Sequence, residues 1–257
     1  MEVERLPSEV LLLRLNRPHA SNALNTRMGQ ELAGIFEDLA ETPSSARCVL
    51  VTGAGDRSFC AGGDLKERGG MTDEEWLHQH RIFERAFRAI LFCPVPIIAA
   101  VNGAAFGGGC EIVLACDWAL ASHNASFAQT ETKLGIIPGG GGTQTLARAV
   151  GVRRAKELIF TGRRFSAEEA KSWGLVNEIF PAERLLPASL AAAEEVAANA
   201  PLAVRQAKLA IGRSPDLSLF DGLAFEIEAY NRTAVSRDRR EGVAAYNERR
   251  PPVWGGA

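Results

Sequence analysis

Apolar residues fall along this chain in two rhythms. Mostly apolar runs rich in branched side chains at residues 10–15, 48–52 and 97–101 predict buried strands, with shorter ones at 118–121 and 125–127. Elsewhere the apolar positions return every three to four residues. Leu32, Ile35, Phe36 and Leu39 predict a helix stopped at Thr42-Pro43, and Ile82, Phe83, Ala86, Phe87 and Ile90 predict another. Between these two helices the polar run 69–75 is expected to be a mobile connection. A further helix is predicted over 143–150. Beyond Lys156 the pattern is mostly helical, with a Ser166-x-x-Glu169 capping box, a strand-like run at 174–180, and helices at 185–198, 201–211 and 217–235. Strand, turn and helix recur at least three times before residue 117, which predicts an α/β architecture of similar stacked units, although no clean sequence repeat is visible.

Composition narrows the possibilities. At 257 residues and 46% hydrophobic, the chain can bury a sizeable core without disulfides or metal. A net charge of -2 provides no field to collect nucleic acid or an anionic membrane. Five cysteines without CxxC spacing, mostly in apolar runs, read as reduced core thiols and point to a cytoplasmic setting. The longest apolar tract, 89–110, is interrupted by Pro94, Pro96, Asn102 and glycines, so no membrane helix is expected. The opening Met-Glu-Val-Glu-Arg has no signal-peptide character. Arginines at 232, 237, 239, 240, 249 and 250 read as a solvated face or a set of intersubunit ion pairs.

Candidate chemistry gathers at glycines. Gly107, Gly108 and Gly109 stand where a strand turns into a helix, so unpaired N–H groups and the helix dipole are open to negative charge. Glu111, about one turn beyond Gly108, is expected to project from the same side. Triple glycine also serves tight packing, and on this stretch alone both readings stand. A second glycine-bearing segment runs from Phe59 to Glu67. A third, Gly139 to Gly142, has Glu131 nearby. The dinucleotide fingerprint fails because Ile112 and Ser58 occupy its third site, the phosphate loop lacks its lysine before Thr143, and neither G-x-S-x-G nor H-E-x-x-H occurs. What remains is two N–H-bearing segments, around Ala61 and Gly108, and two glutamates. That set suits stabilisation of a carbonyl oxyanion with proton or water transfer beside it.

These residues, taken in order, resemble the crotonase (enoyl-CoA hydratase/isomerase) family along nearly the whole chain. The matching segments include Asn22-Ala23-Leu24, Phe59-Cys-Ala-Gly-Gly-Asp-Leu65, Gly107-Gly-Gly-Cys-Glu111, Glu131 with Leu134-Gly-Ile-Ile-Pro-Gly139, and Asp238-Arg-Arg-Glu-Gly242. The resemblance implies a crotonase-like spiral of ββα units over residues 1–195, carrying a CoA thioester site, and a C-terminal helical oligomerisation region over 196–257 that builds homotrimers or paired trimers. It implies Ala61 and Gly108 N–H as oxyanion hole, and Glu111 and Glu131 as catalytic pair for syn hydration of a trans-2-enoyl-CoA. Ala23, Leu24, Ala61, Gly62, Gly63, Asp64, Leu65, Gly108, Pro138 and Gly139 would bind the substrate. Coenzyme A would be part of that substrate, with no separate cofactor and no metal. An isomerase, or a hydratase of the methylglutaconyl-CoA type, is the alternative within the family, and a non-enzymatic CoA- or RNA-binding role is the alternative outside it. Because the early helix carries Glu31, Glu37, Asp38 and Glu41, RNA binding is not carried over. Thr130 departs from the proline that many of these hydratases have.

Overall fold

The computed structural model describes residues 1–256. In chain order, strands β1 (Glu2–Arg5) and β2 (Val10–Leu15) lead to helix α1 (Thr26–Glu41), whose Met28 N–H donates to the Asn25 side chain at 3.0 Å. Then follow β3 (Cys48–Gly53), β4 (Ser58–Cys60), the single turn α2 (Leu65–Arg68) and α3 (Asp73–Leu91). Next come β5 (Ile97–Val101), β6 (Ala104–Phe106), α4 (Gly108–Ala115), β7 (Trp118–Ser122) and β8 (Ser126–Ala128), with a 3₁₀ turn at Glu131–Leu134. The remainder is α5 (Gly142–Val150), α6 (Val152–Thr161), β9 (Phe165–Ser166), α7 (Ala167–Ser172), β10 (Glu178–Phe180), α8 (Ala182–Ala197), α9 (Pro201–Arg213), α10 (Leu219–Ala234) and α11 (Arg237–Glu248).

Two sheets share these strands. The larger has the order β1-β2-β3-β5-β7-β10 and is parallel except for β1; the smaller has the order β4-β6-β8-β9 and is parallel except for β9. Each ββα turn places its first strand in the larger sheet and its second in the smaller, so β3-β4, β5-β6 and β7-β8 are successive turns of one spiral.

Nearly continuous apolar runs become intelligible once both faces of the larger sheet are covered. Leu11, Leu13, Val49, Val51, Ile97 and Ala99 face the main core, which also takes Phe36, Phe83 and Phe87 from α1 and α3. Their neighbours Val10, Leu12, Cys48, Leu50, Ile98 and Ala100 face the other way, where Leu185, Ala193 and Ala197 of α8 cover them.

Several sequence expectations shift at their edges. The run 69–75 is not wholly a loop: Thr72 and Glu75 form a reciprocal capping box and α3 begins at Asp73. The strand-like run 174–180 is a strand only from Glu178, because Gly174 has φ +83° and the N–H of Leu175 returns to the Ala170 carbonyl, ending α7. The arginine-rich end is a helix, α11, and Arg250 pairs with Glu241 and Glu248 inside the same chain. All five cysteines are free thiols, and no described helix is long and apolar enough to cross a membrane.

Candidate active site

Three short strands position the chemistry. β4, β6 and β8 are parallel neighbours, so their carboxyl ends lie together, and the segments that leave them are 61–63, 107–111 and 129–131. In a parallel α/β arrangement this edge is where strands stop and ligands enter. A cavity of about 410 Å³ opens there, lined by Leu24, Ala61, Gly62, Gly63, Gly107, Gly108, Glu111, Glu131 and Gly139, among others.

Close packing of these segments depends on absent side chains. A Cβ on Gly109 would stand 2.0 Å from the Cys60 carbonyl oxygen, and one on Gly62, whose φ is +89°, would stand 3.3 Å from the Gly108 nitrogen. The 61–63 segment therefore rests directly on the start of α4. At that start the Gly108 N–H is a first-turn donor with no partner among the described residues.

The Ala61 N–H is not free: it donates to the Ser21 carbonyl at 3.1 Å. Gly63 differs. Leu24 bridges it in parallel register, with Leu24 N–H donating to the Gly62 carbonyl and Asp64 N–H to the Leu24 carbonyl, which turns Gly63's own amide to the opposite side. That amide has no acceptor among the described residues. Sequence reading passed over Gly63 as a donor because the fragment Ala-Gly-Gly carries no mark of which amide is used by a neighbouring strand.

Glu111 is 3% exposed and Glu131 8%, so neither is a solvated surface carboxylate. Glu111 Oε1 accepts the N–H groups of Gly140 at 2.7 Å and Gly142 at 2.8 Å, which explains the third glycine run: a Cβ on Gly142 would stand 2.9 Å from that oxygen. The second oxygen makes no such bond. Burial pushes Glu111 up from the usual carboxylate range, and the two N–H bonds only partly offset this. Glu131 is pushed up to about 7, first by burial and then by the negative charge of Glu111. With its nitrogen turned towards Glu131, the buried Gln129 carboxamide donates to both carboxylate oxygens, at 3.3 and 3.1 Å.

Of the remaining expected contacts, Leu24, Leu65, Pro138 and Gly139 line the cavity, whereas Ala23 and Asp64 do not. Asp64 caps α2 through the N–H groups of Lys66 and Glu67 and binds Arg17 at 2.8 Å, while the Ala23 carbonyl accepts from Arg17. Arg17 thereby ties the loop before α1 to the segment after β4. Arg68, Trp76, His80 and Phe83 also line the cavity, brought there by α2 and α3. Sequence spacing could not aim them.

The profile of the enoyl-CoA hydratase/isomerase family matches residues 5–257. The chain belongs to that family. Bacillus subtilis YngF, named for the same hydratase/isomerase class, is 45% identical over 95% of this chain and 94% of its own length. The short-chain-enoyl-CoA hydratase of Clostridium acetobutylicum is 40% identical over 94% of this chain and 92% of its own. A crystal structure of an enoyl-CoA hydratase from Bacillus anthracis, 44% identical, matches with a TM-score of 0.96 over 100% of this chain and 99% of that one. The spiral of ββα units is thus the fold of an enoyl-CoA hydratase/isomerase, and its small-sheet edge is the place to seek the thioester.

Proposed function

We propose that the chain is an enoyl-CoA hydratase that adds water reversibly and syn across the double bond of a trans-2-enoyl-CoA. The observation that carries this reading is the pair of buried carboxyl groups facing one cavity beside an unpaired helix-start amide. Like charges in a small buried space keep one proton on the pair, so one member is a base and the other an acid in the same resting state. Glu111, with two main-chain donors, is the better seat for the negative charge. Its free oxygen takes a proton from water attacking C3, while Glu131 delivers a proton to C2. An isomerase needs only one such group.

The thioester oxygen is held by the Gly108 N–H and, in place of Ala61, the Gly63 N–H. Leu24, Gly62, Leu65, Pro138 and Gly139 wall the bound acyl-CoA. Ala23 and Asp64 support it indirectly by shaping the loop that Arg17 ties down. Coenzyme A enters as part of the substrate, and no further cofactor takes part. Free thiols, four of the five buried, suit a reducing compartment such as the cytoplasm.

Loss of the conjugated thioester absorbance of crotonyl-CoA tests the activity; its persistence with every 2-enoyl-CoA tried rejects the reading. Gly108→Pro tests the grip. Proline is accommodated at the first position of a helix but has no N–H to donate. Loss of one oxyanion donor typically lowers kcat about 10²- to 10³-fold, so Gly108→Pro should fall at least ~100-fold below Gly108→Ala, which keeps the amide. Equal rates would remove Gly108 from the hole.

We also propose that residues 196–257 assemble the chain into a homotrimer or a pair of trimers. On α10, Leu219, Phe220, Leu223, Ile227 and Tyr230 share one face at helical spacing and are all exposed, with Phe220 at 83%. Light scattering should give three or six times the chain mass, and Phe220→Asp with Ile227→Asp should shift it to one. A wild-type monomer would refute the assembly.

A further inference from the structure

The cavity wall contains one cation, Arg68, that the hydration chemistry does not use and that no carboxylate among the described residues neutralises. Arg68, at the end of α2, is half-buried among Leu65, Trp76, Leu77 and Phe83. Its guanidinium carbon lies 4.3 Å from the centre of the Trp76 ring and 5.2 Å from that of Phe83, and its Nε donates to Gln79 Oε1 at 2.7 Å. These three contacts fix the guanidinium plane.

What it lacks is a carboxylate. No acidic group forms an ion pair with Arg68 among the described residues, and neither Nη donates to a protein acceptor. Neighbouring Glu67 is committed elsewhere, accepting the Thr26 N–H at 2.9 Å and Gln79 Nε2 at 2.8 Å. A half-buried cation with an open fork is costly unless something arrives to pair with it, and burial accordingly lowers the affinity of Arg68 for its proton. An uncharged acyl tail would gain nothing from it. The fork is also close to the thioester end: Nη1 stands 3.2 Å from where a Gly63 Cβ would be.

We propose that Arg68 receives a carboxylate at the far end of the acyl chain, so that the preferred substrates are enoyl-CoA thioesters bearing a second, ionised carboxyl group. This rests on the hydratase reading of the same cavity and adds the substrate class to it. The pair forms bidentately across the open fork while Trp76 and Phe83 shield it from water, and hydration at C2 and C3 leaves that carboxylate unchanged.

The test compares two five-carbon substrates, glutaconyl-CoA and trans-2-pentenoyl-CoA, which differ in the terminal carboxylate. Wild-type protein is expected to show at least ~10-fold higher kcat/KM for glutaconyl-CoA, and Arg68→Met to lower the ratio of the two about 30-fold, the usual worth of a charge-assisted pair. Arg68→Lys, which keeps charge but not the fork, should fall between them. Because both substrates are read on one sample, the ratio does not depend on how much of a variant folds. A wild-type preference for pentenoyl-CoA overturns the proposal. So does an Arg68→Met variant that loses both substrates equally, which would place the guanidinium on the CoA moiety that both share. Hydration of pentenoyl-CoA alone leaves the hydratase reading standing, whereas hydration of neither removes both.

Discussion

Replacing Glu131 by glutamine is expected to lower kcat for enoyl-CoA hydration about 10³-fold and, at neutral pH, to raise thermal stability. Rate is lost because the glutamine carboxamide has no proton acidic enough to transfer to C2, and a positioned acid or base is worth about 10²- to 10⁴-fold. Stability is gained because burial and the facing Glu111 push Glu131 up to about 7 from 4.5. Between those values the folded chain holds more protons than the unfolded one, so the favourable contribution, complete below about 4.5, disappears as pH rises through 7. Glutamine removes that dependence. The gain should be small at pH 4.5 and reach ~3 kcal/mol above pH 7, or roughly 6–12 °C in Tm. In the parent enzyme, hydration should decline as pH rises through about 7, as the pair loses the one proton it shares. Calorimetry at several pH values and a kcat/KM profile check both halves. A variant that retains hydration, or a stability gain that shrinks as pH rises, would refute the assignment.

Gly109→Ala is expected to destabilise the fold by about 3 kcal/mol or more, near the upper end for overpacking, and to lower Tm by roughly 6–12 °C. The added Cβ meets the Cys60 carbonyl at 2.0 Å, and a strand carbonyl, unlike the tip of a side chain, has no rotamer into which it can retreat. Helix α4 must move off β4. That movement also separates Gly108 from the 61–63 segment, so activity should fall further than the unfolded fraction explains. Gly34→Ala provides the contrast: it lies within α1, where a Cβ meets nothing within 4 Å, so the same substitution should stabilise by about 0.5–1 kcal/mol. Calorimetry of the two variants separates a packing requirement from a general intolerance of alanine.

The central strands of the larger sheet were readable because they bury both faces and so appear as nearly continuous apolar runs, Cys48–Gly53 and Ile97–Val101 among them. Of the smaller sheet only Ser126–Ala128 left a readable run, at 125–127. Ser58–Cys60 and Ala104–Phe106 have three residues each, too few to establish a period of two. That also hid the ββα repeat, since the second strand of the β3-β4 and β5-β6 turns leaves almost no pattern. Strand β1 escaped for a different reason: it pairs along one edge, exposed throughout, and Glu2, Glu4 and Arg5 resemble a polar terminus.

The sequence by itself determined the family resemblance, the alternation of buried strands and amphipathic helices, and the two glutamates beside glycine turns, because these depend on residue type and local spacing. Only the tertiary structure decided which amides stay free, with Ala61 consumed by Ser21 while Gly63 is turned outward by its bridge to Leu24. It alone showed that Gly140 and Gly142 hold Glu111, and that Arg68 faces the cavity without a carboxylate. Each of these is a relation between segments distant in the chain. Whether a donor is spent or a charge is paired depends on what the fold brings against it, and local sequence does not encode that.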